Sequence, residues 1–271
     1  MKLSEVYALT EGLAPKSLSD EYCARYGAYD NSGVLVDAGE GIDKILFSLD
    51  LSEKAVDKAI KEGAKLIITH HPAIYGKISS IRCDDKNLLG GKLVRCLKNG
   101  VSVLALHLNL DGAKGGIDDA LADGIALASG KTAGTGTDLT VMHPLTTGGY
   151  GKAYDIQNIR LGELKNNMEK VFSSSRILVY GDKEKQIRRA ASFCGAGADE
   201  EAVVFAARER ADVVISSDFK HHVLALAIEL GLSVIALTHY ASERYGFEKF
   251  YEKIRRQVKI PCVLHTDNNL L

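Results

Sequence analysis

The chain has 271 residues, 46% hydrophobic and 25% charged, enough apolar material for one large or two medium α/β domains with cores of their own. Lys and Arg number 34 against 35 Asp and Glu, for a net charge of −1, and no basic run would track a nucleic-acid backbone, so nucleic acid is unsupported as a partner. The opening MKLSEVYALTEGLAP carries Glu5 and Glu11 where a signal peptide needs an unbroken apolar segment, and no apolar run approaches membrane-spanning length; the expectation is a soluble, cytoplasmic protein with no membrane partner.

In chain order, KILFSLD (44–50) reads as a strand. It is followed by SEKAVDKAIKEGA (52–64), where Ala55, Ala59 and Ile60 have helical spacing and Ser52 stands where a helix N-cap belongs. KLIIT (65–69) is a second strand. A helix near NLLGGKLVRCLKNG (87–100), a strand VSVLALH (101–107) and a helix IDDALADGIALAS (117–129) complete an alternation that describes an α/β sheet with helical crossovers. From 130 to 153, GKTAGTGTDLTVMHPLTTGGYGKA is rich in Gly and Thr and predicts loop and short strands near an interdomain crossing.

The second half repeats the first weakly. SEKAVDKAIKEGAKLIITHH (52–71) aligns without gaps on DEEAVVFAARERADVVISSD (199–218), an offset of 199 − 52 = 147 that places Ala55, Val56, Ala59 and Ala64 on Ala202, Val203, Ala206 and Ala211. Ser52 falls on Asp199. Downstream, NGVSVLALHLNLD resembles LGLSVIALTHYASE at an offset of 232 − 101 = 131. Two unrelated βαβ units would also share part of this pattern.

Ionisable residues collect after the last apolar residue of these strands, where α/β sheets place their ligands. They are His70 and His71; His107 and Asp111; Asp218, His221 and His222; and His239 and Glu243. One such histidine reads as a satisfied core residue, whereas the set reads as a ligand group for Zn, Fe, Mn or Co. Neighbouring side chains of an extended strand point to opposite faces, so His70 and His71 suit two ions, one each, better than one shared ion. His239 and Glu243 lie about one helical turn apart, and a carboxylate, with two oxygens, can bridge a metal pair as an imidazole cannot. The five cysteines are scattered without a CxxC pair, which speaks against a thiolate site. GAKGG (112–116) lacks Walker spacing, GAGAD (195–199) is a Gly-rich turn that suits an anion but names no nucleotide, and no G-x-S-x-G occurs.

Asp30-Asn31-Ser32-Gly33, Ile68-Thr69-His70-His71-Pro72, His107-Leu108-Asn109-Leu110-Asp111 and His239-Tyr240-Ala241-Ser242-Glu243 together resemble, in order and over essentially the whole chain, the Nif-three-like dinuclear-metal proteins, often labelled GTP cyclohydrolase I type 2 homologues. The resemblance implies two similar α/β domains with central sheets flanked by helices, 1–127 plus 245–271 and 128–244, with the metal site at the interface between them. It further implies two divalent transition-metal ions per subunit, held by His70, His71, Asp111, His239 and Glu243 with Glu243 as bridge, and a toroidal homohexamer. His107 matches a family histidine outside the ligand set; a supporting or substrate role and a hydrogen-bonded strand-end role both fit. His222 also matches a family position and reads as a helix N-terminal contact. Asp30 and Asn31 could line the pocket or form an Asx-type turn. Thr238 stands where the family carries glycine, Ser216-Ser217-Asp218 where T-G-D is common, and the mid-chain domain of longer relatives is missing.

The function that follows is hydrolysis of a nucleotide or small phosphorylated compound by metal-activated water, with no residue singled out as catalytic. The alternative is a non-enzymatic metal-binding hexamer with a regulatory or partner-binding role. Five ligands with one bridging give about three bonds per ion, leaving room for water where structural zinc is closed by four, which favours the enzyme.

Overall fold

The computed structural model describes residues 1–39, 41–78, 80–83, 88–131 and 139–271. The chain divides into two units, Met1–Ala113 with Phe247–Thr266, and Lys114–Gly246 with Asp267–Leu271. The divisions fall at 113/114, 246/247 and 266/267; the expectation from the sequence was 127/128 and 244/245.

The first unit begins with α1 (Leu3–Glu11) and α2 (Lys16–Tyr26), then β1 (Gly33–Val36), β2 (Ile45–Ser48), α3 (Glu53–Glu62), β3 (Leu66–Thr69), α4 (Leu89–Lys98), β4 (Ser102–Ala105) and a short α5 (Leu108–Gly112). Among the described residues its sheet runs β1-β4-β3-β2 and ends on the strand Cys262–Leu264. β2, β3, β4 and Cys262–Leu264 are parallel, and β1 is antiparallel to β4. Every residue of β2, β3 and β4 is buried, as parallel strands covered on both faces require. One face carries Leu46, Ile67 and Val103 against Ala55, Val56 and Ala59 of α3 and Leu93 of α4. The alternate residue Phe47 meets Phe247, Phe250 and Tyr251 with ring centroids 6.3, 6.3 and 5.2 Å away. Each such large apolar side chain contributes about 1.5–3 kcal/mol by burial. The antiparallel β1 brings its amino end to the carboxyl ends of its neighbours, so Asp30, Asp50, His70, His71 and His107 all emerge along one edge of this sheet.

The second unit holds α6 (Ile117–Ala128), β5 (Thr140–Pro144), β6 (Gly149–Arg160), α7 (Leu161–Val171), β7 (Leu178–Tyr180), β8 (Gln186–Ser192), α8 (Glu200–Arg208), β9 (Val213–Ser216), α9 (His221–Glu229), β10 (Ser233–Ala236) and the start of α10 (His239–Gln257), within which the chain passes into the first unit. Among the described residues the sheet order is β5-β6-β8-β9-β10-β7. β8, β9 and β10 are parallel; the other pairings are antiparallel. α6 belongs here because it packs on β6, β8 and α7, with nine of its residues, Ile117 to Ala128, buried.

Within the Gly/Thr-rich stretch, residues 132–138 lie outside the described residues. The remainder holds the short strand β5, a turn and the first five residues of β6, whose 12 residues run on beyond the stretch. Its glycines are sites of close approach, since a Cβ on Gly151 (φ +72°) would sit 2.7 Å from the Phe193 ring.

The internal repeat has a structural counterpart. Ser52 Oγ accepts from the Ala55 amide at 3.1 Å, and Asp199 Oδ1 accepts from the Ala202 amide at 2.8 Å, so both offset-related residues are N-caps. All four apolar pairs are buried, and β3 maps on β9 at the same offset, 213 − 66 = 147. β4 maps on β10 at 233 − 102 = 131. Among the described residues no helix is long and apolar enough to cross a membrane.

Candidate metal centre

At the carboxyl edge of the first sheet, β3 ends at Thr69, and the amides of His70 and His71 both donate to the Leu49 carbonyl, at 3.1 and 2.9 Å. Two consecutive amides on one acceptor mean that the backbone has left the extended form. The opposite-face geometry expected from a strand therefore stops one residue short of the histidines. Their rings lie 4.8 Å apart between centroids, and His107 lies 5.2 Å from His70 and 5.9 Å from His71. His70, His71 and His107 each offer a ring nitrogen within 4.8 Å of the others, a group that could hold a metal ion.

What fixes these rings is at Nδ1. His70, fully buried, is held at 2.7 Å by the Leu106 carbonyl, an atom that only accepts, so Nδ1 carries the hydrogen and a neutral ring has its lone pair on Nε2. Asp50 holds Nδ1 of His71 at 2.8 Å, and Asp30 holds Nδ1 of His107 at 2.8 Å. The Asp30 side chain also accepts from Ser19 at 2.5 Å and Ser32 at 2.6 Å. Burial alone would raise the pKa of Asp30; the hydrogen bonds from His107, Ser19 and Ser32 outweigh it and hold the carboxyl well below the usual range. Ser32 accepts from the His107 amide at 3.0 Å. Asn31 faces a neighbouring loop, donating to the Ile74 carbonyl at 2.6 Å. Asp111, on α5, is buried with Oδ1 3.5 Å from His70 Nε2.

In the second unit, His239 is the first residue of α10. Its Nδ1 meets Asp218 Oδ2 at 2.5 Å, and its Nε2 lies 2.9 Å from Oε1 of Glu243, which is 2% exposed. Asp218 reaches Nδ1 from a left-handed backbone, φ +53°. Gly195, at φ +56°, closes over the pair: a Cβ there would collide with Glu243 Oε1 and lie 3.3 Å from His239 Nε2. Its carbonyl accepts from Ser216 at 3.2 Å and Ser217 at 2.5 Å, and its amide donates to Ser242 at 3.0 Å. His222 sits in the first turn of α9 with a side chain 62% exposed, 3.7 Å from Glu200.

The donor set fits a transition-metal ion. Bonds of about 2.0–2.2 Å put ligand atoms about 3.0 Å apart at right angles and about 3.4 Å apart at the tetrahedral angle. The 2.9 Å from His239 to Glu243 and the 3.5 Å from His70 to Asp111 span this range. Asp50, Asp218 and Gly195, as the residues that orient or enclose the donors, were not assigned these roles from the sequence. The available signals were an Asp two residues past β2, an Asp among the strand-end ionisable residues, and a Gly-rich turn.

A family model described as Duf34/NIF3 (NGG1p interacting factor 3) matches residues 1–269. A Clostridium perfringens protein named GTP cyclohydrolase 1 type 2 homolog is 29% identical over 95% of this chain and 93% of its own. A Methanocaldococcus jannaschii protein of the same name is 31% identical over 97% of this chain and 98% of its own. Among solved structures, reduced HcgD from Methanocaldococcus jannaschii matches with a TM-score of 0.77 at 28% identity, covering 97% of both chains. The Bacillus cereus protein related to NIF3 matches with a TM-score of 0.78 at 21% identity over 98% of this chain and 97% of its own, a likeness of fold. The mixed α/β architecture with two helix-flanked sheets is the one shared with these proteins, and by sequence and by fold this chain belongs to the Duf34/NIF3 family.

Proposed function

We propose that the protein is a metal-dependent hydrolase with a dinuclear centre, acting on a nucleotide or a similar small phosphorylated compound. In this reading His70, His71 and Asp111 of the first unit and His239 and Glu243 of the second would hold two divalent ions, Zn, Fe, Mn or Co. The observation that carries it is that Nδ1 of His70, His71 and His239 is in each case held by an oxygen, 2.5–2.8 Å away. That is how a protein fixes the tautomer and orientation of an imidazole that ligates through Nε2. Hydrogen-bonded core histidines would not need three such fixed rings beside buried carboxylates.

Ions bound by such a set lower the pKa of water and stabilise developing negative charge. The chain's own part is orientation and proton handling. His107, held at Nδ1 by an Asp30 that stays ionised, is placed to accept and return a proton at Nε2, with Asp30 stabilising the charged ring. The relatives' name, which refers to GTP cyclohydrolase, is what supports a nucleotide as substrate. A homohexamer belongs to the same proposal. It is supported by the resemblance and by apolar side chains left exposed on the edge strand β7, Leu178 and Tyr180. A light-scattering mass near the 29.3 kDa of one chain would reject it.

Anaerobic purification with elemental analysis, followed by a screen of nucleotides and phosphoesters, tests the reading. About two equivalents per chain are expected, with turnover lost on chelation and restored to differing extents by Zn, Mn, Fe and Co. Well under one equivalent, with no uptake on reconstitution, would overturn it.

A further inference from the structure

Tyr29 and Tyr75 of the first unit remain 58% and 50% exposed, yet both are held in place. Their rings meet edge to face at 87° with centroids 5.3 Å apart, and the Tyr75 hydroxyl donates to the Tyr29 carbonyl at 2.8 Å. The Asn31 side chain donates to the Ile74 carbonyl at 2.6 Å, so the two segments are tied a second time. Between Tyr29 and Asn31, Asp30 anchors His107, and the Tyr75 ring stands perpendicular to the His107 ring with centroids 6.1 Å apart. An ordinary surface tyrosine is neither hydrogen-bonded to the backbone of a second exposed tyrosine nor set edge to face against a histidine of a candidate metal cluster. Apolar ring surface kept in water and immobilised in advance is what a stacking partner uses, because a tyrosine loses few rotatable bonds on binding.

We propose that Tyr75, positioned by Tyr29, is a stacking surface for the planar heteroaromatic ring of the ligand, and so a specificity residue for compounds that carry a base-like ring. The proposal rests on the functional reading above only for the location of the reacting group beside the histidines; recognition of the ring stands on the tyrosines themselves. Stacking on an aromatic side chain tolerates any base, since every base has a π-face, and expected specificity is therefore for the presence of a ring more than for its identity.

The test is calorimetric titration of the purified full chain with AMP, GMP and UMP against ribose 5-phosphate, which has the sugar phosphate without the ring. The nucleotides should bind about tenfold or more tightly. Tyr75→Ala should remove that difference and Tyr75→Phe should keep most of it, with bound metal equivalents unchanged in both. Equal affinity in the wild-type protein, no binding of any of the four compounds, or a difference that survives Tyr75→Ala would overturn the proposal. So would a change in oligomer mass with ring discrimination intact, which would make the tyrosines a subunit contact. If circular dichroism shows Tyr75→Ala to be unfolded, Tyr29→Ala decides by the same comparison. Ring discrimination without metal uptake would sink the metal reading and leave the stacking surface standing.

Discussion

Asp218 holds Nδ1 of His239 at 2.5 Å from a left-handed backbone, φ +53°, a conformation that a non-glycine residue adopts at a cost. The strain is local to a candidate ligand, which ties conformation to the proposed chemistry. Asp218→Gly should relieve it, leaving the melting temperature unchanged or higher, while metal affinity falls about 10–100-fold because His239 loses its orienting partner. Chelator competition reads the affinity and calorimetry the stability. Unchanged affinity would show that His239 does not ligate in this orientation.

Gly195 bears on the same pair from the other side. A methyl group there must sit at φ +56° and collide with Glu243 Oε1. Gly195→Ala should cost about 1–3 kcal/mol in urea unfolding and displace Glu243, lowering metal occupancy under conditions where the wild-type protein is filled. Full occupancy in the variant would mean that Glu243 has room to move without consequence.

These two residues also mark where the sequence stopped being readable. Ser52 and Asp199 were legible as caps because capping is decided within three residues, and the alanines of α3 and α8 because helical spacing is local. His239 and Glu243 were legible as a pair for the same reason. The partners at Nδ1 were not: the Leu106 carbonyl and Asp50 reach the histidines only through strand pairing, 36 and 21 residues away in the chain. Why Gly149 and Gly151 are glycines was not legible either: in β6 the neighbouring side chains of Val141 and Phe193 leave no room for anything larger.

A buried ion pair supports the second unit. Lys152 Nζ donates to Asp118 Oδ2 at 2.5 Å, and Asp118 also accepts from the amides of Gly151 at 2.9 Å and Cys194 at 3.1 Å, which fixes the residue before Gly195. Lys152→Met strips the buried carboxylate of its counter-charge and should cost about 3–5 kcal/mol; Lys152→Met with Asp118→Asn should cost less than the sum of the single changes. Burial pulls the Lys152 pKa down, but Asp118 and Asp119 outweigh it and raise the pKa above the ordinary value. A raised folded pKa means stability that is fully present below the unfolded value of about 10.4 and is lost as pH rises beyond it. Alkaline urea melts should therefore show the wild-type protein losing stability above about pH 10.4, and a wild-type curve flat through that range would mean that the pair contributes nothing.

Asp30 predicts the opposite dependence at the acid end. Its carboxyl is depressed in the folded chain despite burial, by the hydrogen bonds from His107, Ser19 and Ser32. The unfolded chain releases the same proton at about pH 3.9, so the contribution is present above that value and drains away as pH falls toward the lower folded pKa. Wild-type stability should accordingly drop on acidification by about 1–3 kcal/mol more than that of Asp30→Asn, measured as urea midpoints between pH 6 and pH 3. At neutral pH the same variant leaves His107 without the carboxylate that stabilises its charged ring, so turnover of a confirmed substrate should fall with bound metal unchanged. A variant that keeps full turnover and the wild-type acid slope would remove both the proton-handling role of His107 and the account of why Asp30 stays ionised.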